Sequence, residues 1–181
     1  MEVRHVARAA LAGILALTLA TPAGARGPST PAERRRAVEV TRRLERSPLA
    51  PNADADRKWL LKWIVDIPDI NVKGCSGPLD ALVQDDGTRH GKALYAQSMF
   101  GMTAFMIENP RKKNDWVAVQ TAGVESTLRA YQALVQSDPE ARWEELDTLL
   151  EARKQGKLRD LVEQAMEGCG EDRPPGPGDA I

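Results

Sequence analysis

Apolar residues recur along this chain at intervals of three and four, and every long periodic segment has the helical period. No stretch sustains the strict alternation of a half-buried strand. Thr30-Pro31-Ala32-Glu33 combines a hydroxyl cap, a proline at the first helical position and a glutamate at the third, which predicts a helix start. That helix places Ala37, Thr41 and Leu44 on one face and stops at Ser47-Pro48, because the residue before a proline resists the helical region. A second helix is predicted from Asn52 or Asp54, with Trp59, Leu60, Trp63, Ile64 and Ile67 as its apolar stripe and Pro68 as its end. Asp69 to Cys75 reads as a loop with some extended character. Ser76-Gly77-Pro78 then caps a short helix over Leu79, Leu82 and Val83, broken at Asp85-Asp86-Gly87.

The central helix is predicted from Gly91 to Glu108, with Leu94, Tyr95, Met99, Met102, Phe105 and Met106 at helical spacing. Gly101 and Ala104 allow a neighbouring backbone to come close. After Asn109-Pro110, Asn114 or Asp115 caps the antiparallel partner, whose inner face is Val117, Thr121, Val124, Leu128, Tyr131 and Val135. Asp138-Pro139-Glu140 repeats the cap-then-proline signal and predicts a helix carrying Trp143, Leu146, Leu149 and Leu150. Gly156 interrupts it. A last helix, with Leu158, Leu161, Val162, Ala165 and Met166, runs to Gly168 and delivers Cys169. The expected fold is all-α: one domain over 26–170, six or seven helices in an orthogonal or bundle-like array. Residues 171–181, with Pro174, Pro175 and Pro177, are too poor in apolar surface to order themselves and predict a disordered tail.

Residues 1–25 follow a different rule. Arg4, His5 and Arg8 precede a wholly apolar run broken only by Thr18, from Ala9 to Ala20, and Ala23-Gly24-Ala25 supplies small residues before Arg26. This is the order of a secretory signal peptide, with cleavage expected between Ala25 and Arg26. Roughly a dozen apolar residues fall short of the 20 or so that span a bilayer. No transmembrane anchor is therefore expected after processing, and the expected location is periplasmic or secreted.

Composition adjusts this picture little. Removing 1–25 takes away two arginines and one glutamate, so the net charge moves from -1 to about -2. No global charge argues for nucleic acid. About 155 residues remain, enough for one domain with its own core. The two cysteines, Cys75 and Cys169, both lie in the exported part. An even count in an oxidising compartment predicts a disulfide between them. They lack the Cys-x-x-Cys spacing of catalytic thiols.

Candidate chemistry is sparse. His90 stands in a polar loop beside Asp85 and Asp86 and could serve as base or ligand, but one imidazole makes neither a zinc site nor a triad, and an exposed loop residue is the expectation. Asn52-x-Asp54-x-Asp56 opens like a calcium loop and then fails, with Arg57 where glycine is required and Trp63 where a bidentate glutamate is required. These acids read as helix caps. Glu108 and Glu125 fall near the apolar faces of the two central helices, where a buried carboxylate pair would have acid–base character; Asp66 and Asp69 are further carboxylate candidates. Trp59, Trp63, Trp116 and Trp143 read as core, each indole N–H finding a carbonyl. The first helix holds six arginines against three glutamates, and Glu140 to Asp172 has ten acids against five bases. A solvated face with internal compensation is expected for the first. No cofactor or metal is implied.

Trp59-Leu60-Leu61-Lys62-Trp63, then Pro68-Asp69-Ile70 and Val72-Lys73-Gly74-Cys75, resembles a pattern in small exported bacterial α-helical proteins of unassigned function. The resemblance implies a fold class and no functional residues. Thr127, Tyr131, Leu134 and Pro139 are similar in spacing to the second helix of a tetratricopeptide repeat, but the first helix of such a repeat needs tryptophan and glycine near Arg111 and Asp115, where neither stands. The expected function is a non-enzymatic exported module that binds a protein, peptide or other component of the cell envelope. The alternatives are a carboxylate-dependent envelope enzyme and a structural or stress-tolerance protein.

Overall fold

The computed structural model describes residues 26–75, 77–84, 89–167 and 169. The predicted signal segment, the Asp85-Asp86-Gly87 break and the predicted tail lie outside them. The described residues form α1 (Pro31–Arg46), α2 (Ala53–Asp66), α3 (Asp80–Gln84), α4 (Gly91–Glu108), α5 (Trp116–Ser137), α6 (Glu144–Lys154) and α7 (Leu158–Met166), with single 3₁₀ turns before α3, α5 and α6. No strand occurs among them, and the all-α expectation holds.

Local signals set most of these boundaries. The Thr30 hydroxyl accepts from the Glu33 amide while the Glu33 carboxylate accepts from the Thr30 amide, a complete capping box. Asp115 caps α5 by accepting from the Ala118 amide at 3.0 Å. Gly156, at φ +72°, makes the left-handed turn between α6 and α7 that a side chain would strain.

The α4–α5 pair organises everything else. Gly101 faces Ser126, and Gly123 faces Ser98 and Met102, so the two backbones approach closely. A methyl group at Gly101 would lie 2.9 Å from the Ala122 carbonyl oxygen. Thr127 donates across the pair to the Leu94 carbonyl at 3.0 Å. On one side α1 and α2 build a core of Val40, Leu44, Leu60, Trp63, Phe100 and Met102. On the other, α3, α6 and α7 enclose Leu82, Leu128, Tyr131, Leu134, Leu146 and Val162. Cys75 and Cys169, 94 positions apart, form the expected disulfide with Cα atoms 6.1 Å apart.

Five expectations change. The inner face of α5 is wider than the predicted stripe: Val124, Leu128 and Tyr131 are buried, but so are Gly123, Ser126, Thr127 and Ala130, whereas Val117, Thr121 and Val135 are only half-buried. The reason is that α5 is packed on two sides. Phe100, absent from the predicted apolar positions of α4, is fully buried. The helix predicted at Asp138-Pro139 starts late, after a single 3₁₀ turn at Pro139–Ala141. The Asp138 side chain provides no cap, since it faces Arg89 and His90, and the Tyr131 hydroxyl grips both the amide and the carbonyl of extended Trp143. Finally, Leu161 is exposed on α7, and the indole N–H of buried Trp63 has no partner among the described residues.

Candidate functional site

Polar chemistry inside the fold centres on Glu45, whose side chain is only 5 % exposed. It stands on α1 at the junction with α4 and α5. Ser126 donates to it at 2.6 Å, Arg129 through two nitrogens at 2.9 and 3.0 Å, and Arg42 at 2.8 Å. Gln97 donates in turn to the Ser126 hydroxyl at 2.9 Å. Burial pushes the Glu45 carboxyl up, but the hydrogen bonds from Arg129 and Ser126 and the charges of Arg129 and Arg42 outweigh it and hold the group below the ordinary range. Such a carboxylate is fixed in its ionised form. It is the opposite of a general acid, which needs a raised pKa.

The candidate carboxylates Glu108 and Glu125 do not face each other as a pair. Glu108 accepts from Arg42 at 2.7 Å, and Glu125 lies 3.4 Å from Arg129 and 3.5 Å from Arg153. The two are separated by the sequence Glu108, Arg42, Glu45, Arg129, Glu125, a chain of alternating charge in which Arg42 and Arg129 are each shared between Glu45 and one of the outer acids. Asp66 is held by Lys62 at 2.8 Å and lies 3.7 Å from Arg26. Asp69 accepts from the Ser29 amide and hydroxyl, both at 2.7 Å, and from Arg34 at 2.6 Å. Burial raises the Asp69 pKa, and these bonds more than reverse it. Both acids serve as anchors.

His90 is not the exposed loop residue expected. It occupies the cap position of α4, its side chain is 22 % exposed, and Nε2 lies 3.4 Å from Asp138. The acids of the calcium-like run are engaged by cations: Asp56 takes both nitrogens of an Arg43 fork, and Asp54 pairs with Arg57 at 2.9 Å. No group of three or more His, Cys, Asp and Glu among the described residues is placed to hold a metal ion. Arg34, Arg42 and Arg43 of α1 find partners beyond their own helix, on the 69 loop, α4 and α2, and Arg36 stacks 4.1 Å over the ring of Trp59, itself stacked on Trp63. Internal compensation is therefore only part of the account.

What sequence reasoning missed is an apolar groove of about 820 Å³ on the outer side of α2. Leu61, Ile64 and Val65 of α2 form one wall, Ile67, Ile70 and Val72 the other, and Met99 from the middle of α4 also lines it. Val65 is 72 % exposed. Pro68 ends α2, and residues 68–74, bent at 68 and 69, run on without regular secondary structure to form the second wall. That run is fixed at Asp69 by Ser29 and Arg34, at the Lys73 carbonyl by Gln120 at 2.8 Å, and at Cys75 by the disulfide. No backbone–backbone hydrogen bond joins residues 68–74 to any other described residue. The signal for the groove was present: Leu61 and Val65 stand four apart, outside the main stripe, so α2 is apolar on a second face.

No described helix is long and apolar enough to cross a membrane. Comparison with protein-family models, with curated proteins and with solved structures finds no match to this chain.

Proposed function

We propose that this chain is an exported helical domain that binds an extended, apolar stretch of another envelope polypeptide and performs no chemistry on it. The observation that carries the reading is the groove beside α2, with its exposed Val65 and Leu61 and a second wall from the segment 67–72. Apolar side chains in such a groove reward an apolar occupant by about 25 cal/mol for each Å² removed from water. Residues 68–74 make no backbone–backbone hydrogen bond to other described residues, which favours an extended occupant that brings its own N–H and C=O groups. Because the wall is anchored at Asp69, Lys73 and Cys75, little ordering entropy opposes binding. Export rests on the pattern of residues 1–25, and the disulfide accords with an oxidising compartment.

A displayed library of peptides of about ten residues with apolar side chains at alternate positions tests the proposal. The expected result is enrichment of alternating apolar sequences that bind with micromolar affinity. Val65→Asp, which puts a charge in the groove without touching the core, should weaken binding at least about tenfold, or 1.4 kcal/mol. Equal enrichment by the wild type and Val65→Asp would refute the proposal. Mass spectrometry of the exported protein should find its N-terminus at Arg26; an intact Met1 in the envelope fraction would remove the export part.

A further inference from the structure

The α2 groove continues beyond its second wall. Ile70 and Asn71, which line the groove, also line another cleft, of about 230 Å³. Met106 and Ile107 of α4, with Pro110 and Trp116, give that cleft an apolar lining, and Lys113 and Asn114 line it as well. Met99 in the groove and Met106 in the cleft stand seven residues apart on α4, which is two turns or about 10 Å. About three residues of extended chain cover that distance. A peptide of about ten residues lying in the groove therefore reaches the cleft by crossing exposed Asn71.

Charge changes along this track. In the groove Lys62 is held by Asp66, and at the cleft Arg34 is held by Asp69, so neither cation is free for a ligand. Arg111, Lys112 and Lys113 differ. They follow Pro110 in the turn before α5, all three are exposed, and none makes an ion pair or side-chain hydrogen bond among the described residues. Their turn is held by its backbone instead, the Lys112 amide donating to the Asn109 carbonyl at 2.8 Å and the Asp115 amide to the Lys112 carbonyl at 3.0 Å. Lys73 is exposed too, and its ammonium lies 5.5 Å from the ring centre of Trp116, a lining residue. Asp115, the acid nearest in sequence, already accepts from the Ala118 amide and lies 3.9 Å from Arg159. Lys113 in the cleft, Lys73 over Trp116, and Arg111 and Lys112 between the lining residues Pro110 and Lys113 are thus four cations without a carboxylate partner at one end of the track.

We infer that the polypeptide held in the α2 groove continues past Asn71 and is acidic there: alternate apolar side chains, the last against Met106, Ile107 and Trp116, then a run of aspartates or glutamates over Lys113 and its neighbouring cations. The inference rests on the peptide-binding reading and adds the charge of the partner and the place where that charge is read. The chain as a whole carries a net charge of -1, so it does not attract acids, and any preference for them comes from this local field. Exposed ion pairs are each worth at most about fivefold in affinity. Several together give a selection of about tenfold that salt weakens.

The test follows the fluorescence anisotropy of labelled peptides as the full chain is added. Each peptide has about ten residues alternating valine and serine, extended at one end or the other by a short run of glutamates, glutamines or lysines. The expected result is that the glutamate tail, in its better orientation, binds about tenfold tighter than the glutamine tail and the lysine tail binds more weakly, with the difference shrinking as ionic strength rises above about 0.15 M. Lys112→Glu combined with Lys113→Glu should remove the advantage and leave the glutamine-tailed peptide unchanged. Both side chains are exposed and unpaired, so the fold should survive, and an unchanged thermal melt checks it. Arg46→Glu with Arg142→Glu makes the same change of net charge at exposed sites at the other ends of α1 and α5, and should preserve the advantage. Equal binding of glutamate and glutamine tails, or an advantage that survives the lysine reversals, would overturn the inference and leave the peptide-binding reading standing; binding of no tail would overturn both. Equal binding of all tails together with retention on phosphatidylcholine vesicles containing phosphatidylglycerol, lost on reversing Lys112 and Lys113, would give the turn to a lipid surface and overturn the inference.

Discussion

Replacing Glu45 by glutamine tests the polar centre of the fold. The carboxylate accepts four hydrogen bonds from three donors, Ser126, Arg129 and Arg42. Glutamine keeps the shape, loses the charge and turns one acceptor into a donor aimed at other donors. Charge-assisted bonds are each worth about 1.5–3 kcal/mol, and breaking a buried pair costs about 3–5 kcal/mol. Both arginines are about one-third exposed and keep second partners, Glu108 and Glu125, which reduces the figure. We expect Glu45→Gln to lose about 2–3 kcal/mol at pH 7, read by urea denaturation with the disulfide intact and an unchanged m-value. The pH dependence has a defined sign. The folded Glu45 pKa lies below the ordinary glutamate value of 4.5, so its contribution is fully present above 4.5 and is lost as pH falls through the lower folded value. The gap between wild type and Glu45→Gln should therefore close in acid. A loss under about 0.5 kcal/mol, or a gap that stays constant from neutral pH into acid, refutes the account.

Gly101→Ala should destabilise by about 3 kcal/mol, because the added methyl meets the Ala122 carbonyl and the Ser126 side chain in the tightest part of the α4–α5 contact; a wild-type denaturation midpoint would show that the helices do not approach so closely. Tyr131→Phe should cost about 1–3 kcal/mol, since the hydroxyl bonds Asp147 and both the amide and the carbonyl of Trp143, and amide exchange at Trp143 should rise. Non-reducing peptide mapping should link Cys75 to Cys169, and Cys75→Ser with Cys169→Ser should lower stability by up to about 4–5 kcal/mol in the chain-entropy account of a loop this long; two alkylatable thiols in the native protein would contradict the bond.

The features that proved legible in the sequence are those decided within a turn or two of chain. The capping box at Thr30, the proline stop at Pro68 and the bounds of α4 at Gly91 and Glu108 follow from local sterics and hydrogen bonding, and the structure places them where they were expected. Where a distant residue competed for a local signal, the reading failed. Asp138 looks like a helix cap, but Arg89 and His90, 49 and 48 positions earlier, take its carboxylate. Trp143 falls on an apolar helical stripe, yet the Tyr131 hydroxyl holds it extended. The groove was half legible, through Leu61 and Val65. Its other wall depends on Ser29, Gln120 and Cys169 reaching residues 69–75 from three separate parts of the chain.

Glu45 shows why the remainder stayed hidden. In sequence it lies between Leu44 and Arg46 in a helix crowded with arginines, where a solvated face is the ordinary reading. Yet it stands four residues after buried Thr41, which itself stands four after buried Ala37, so the inward stripe runs through it. On α5, Gly123, Ser126, Thr127 and Ala130 mark a face of small side chains at i, i+3, i+4 and i+7. A carboxylate on one stripe and a small-residue face on another become informative only when they are known to meet, and that meeting is a tertiary fact. Once it is known, the alternating chain from Glu108 through Arg42, Glu45 and Arg129 to Glu125 explains why the two candidate carboxylates have no catalytic partner. Arg42 bridges acids on two elements, which a lysine with a single ammonium would do less well. The charges of α1 thus serve its packing against α2, α4 and the 69 loop, and the surface left for a partner is on α2, where apolar side chains stand in water.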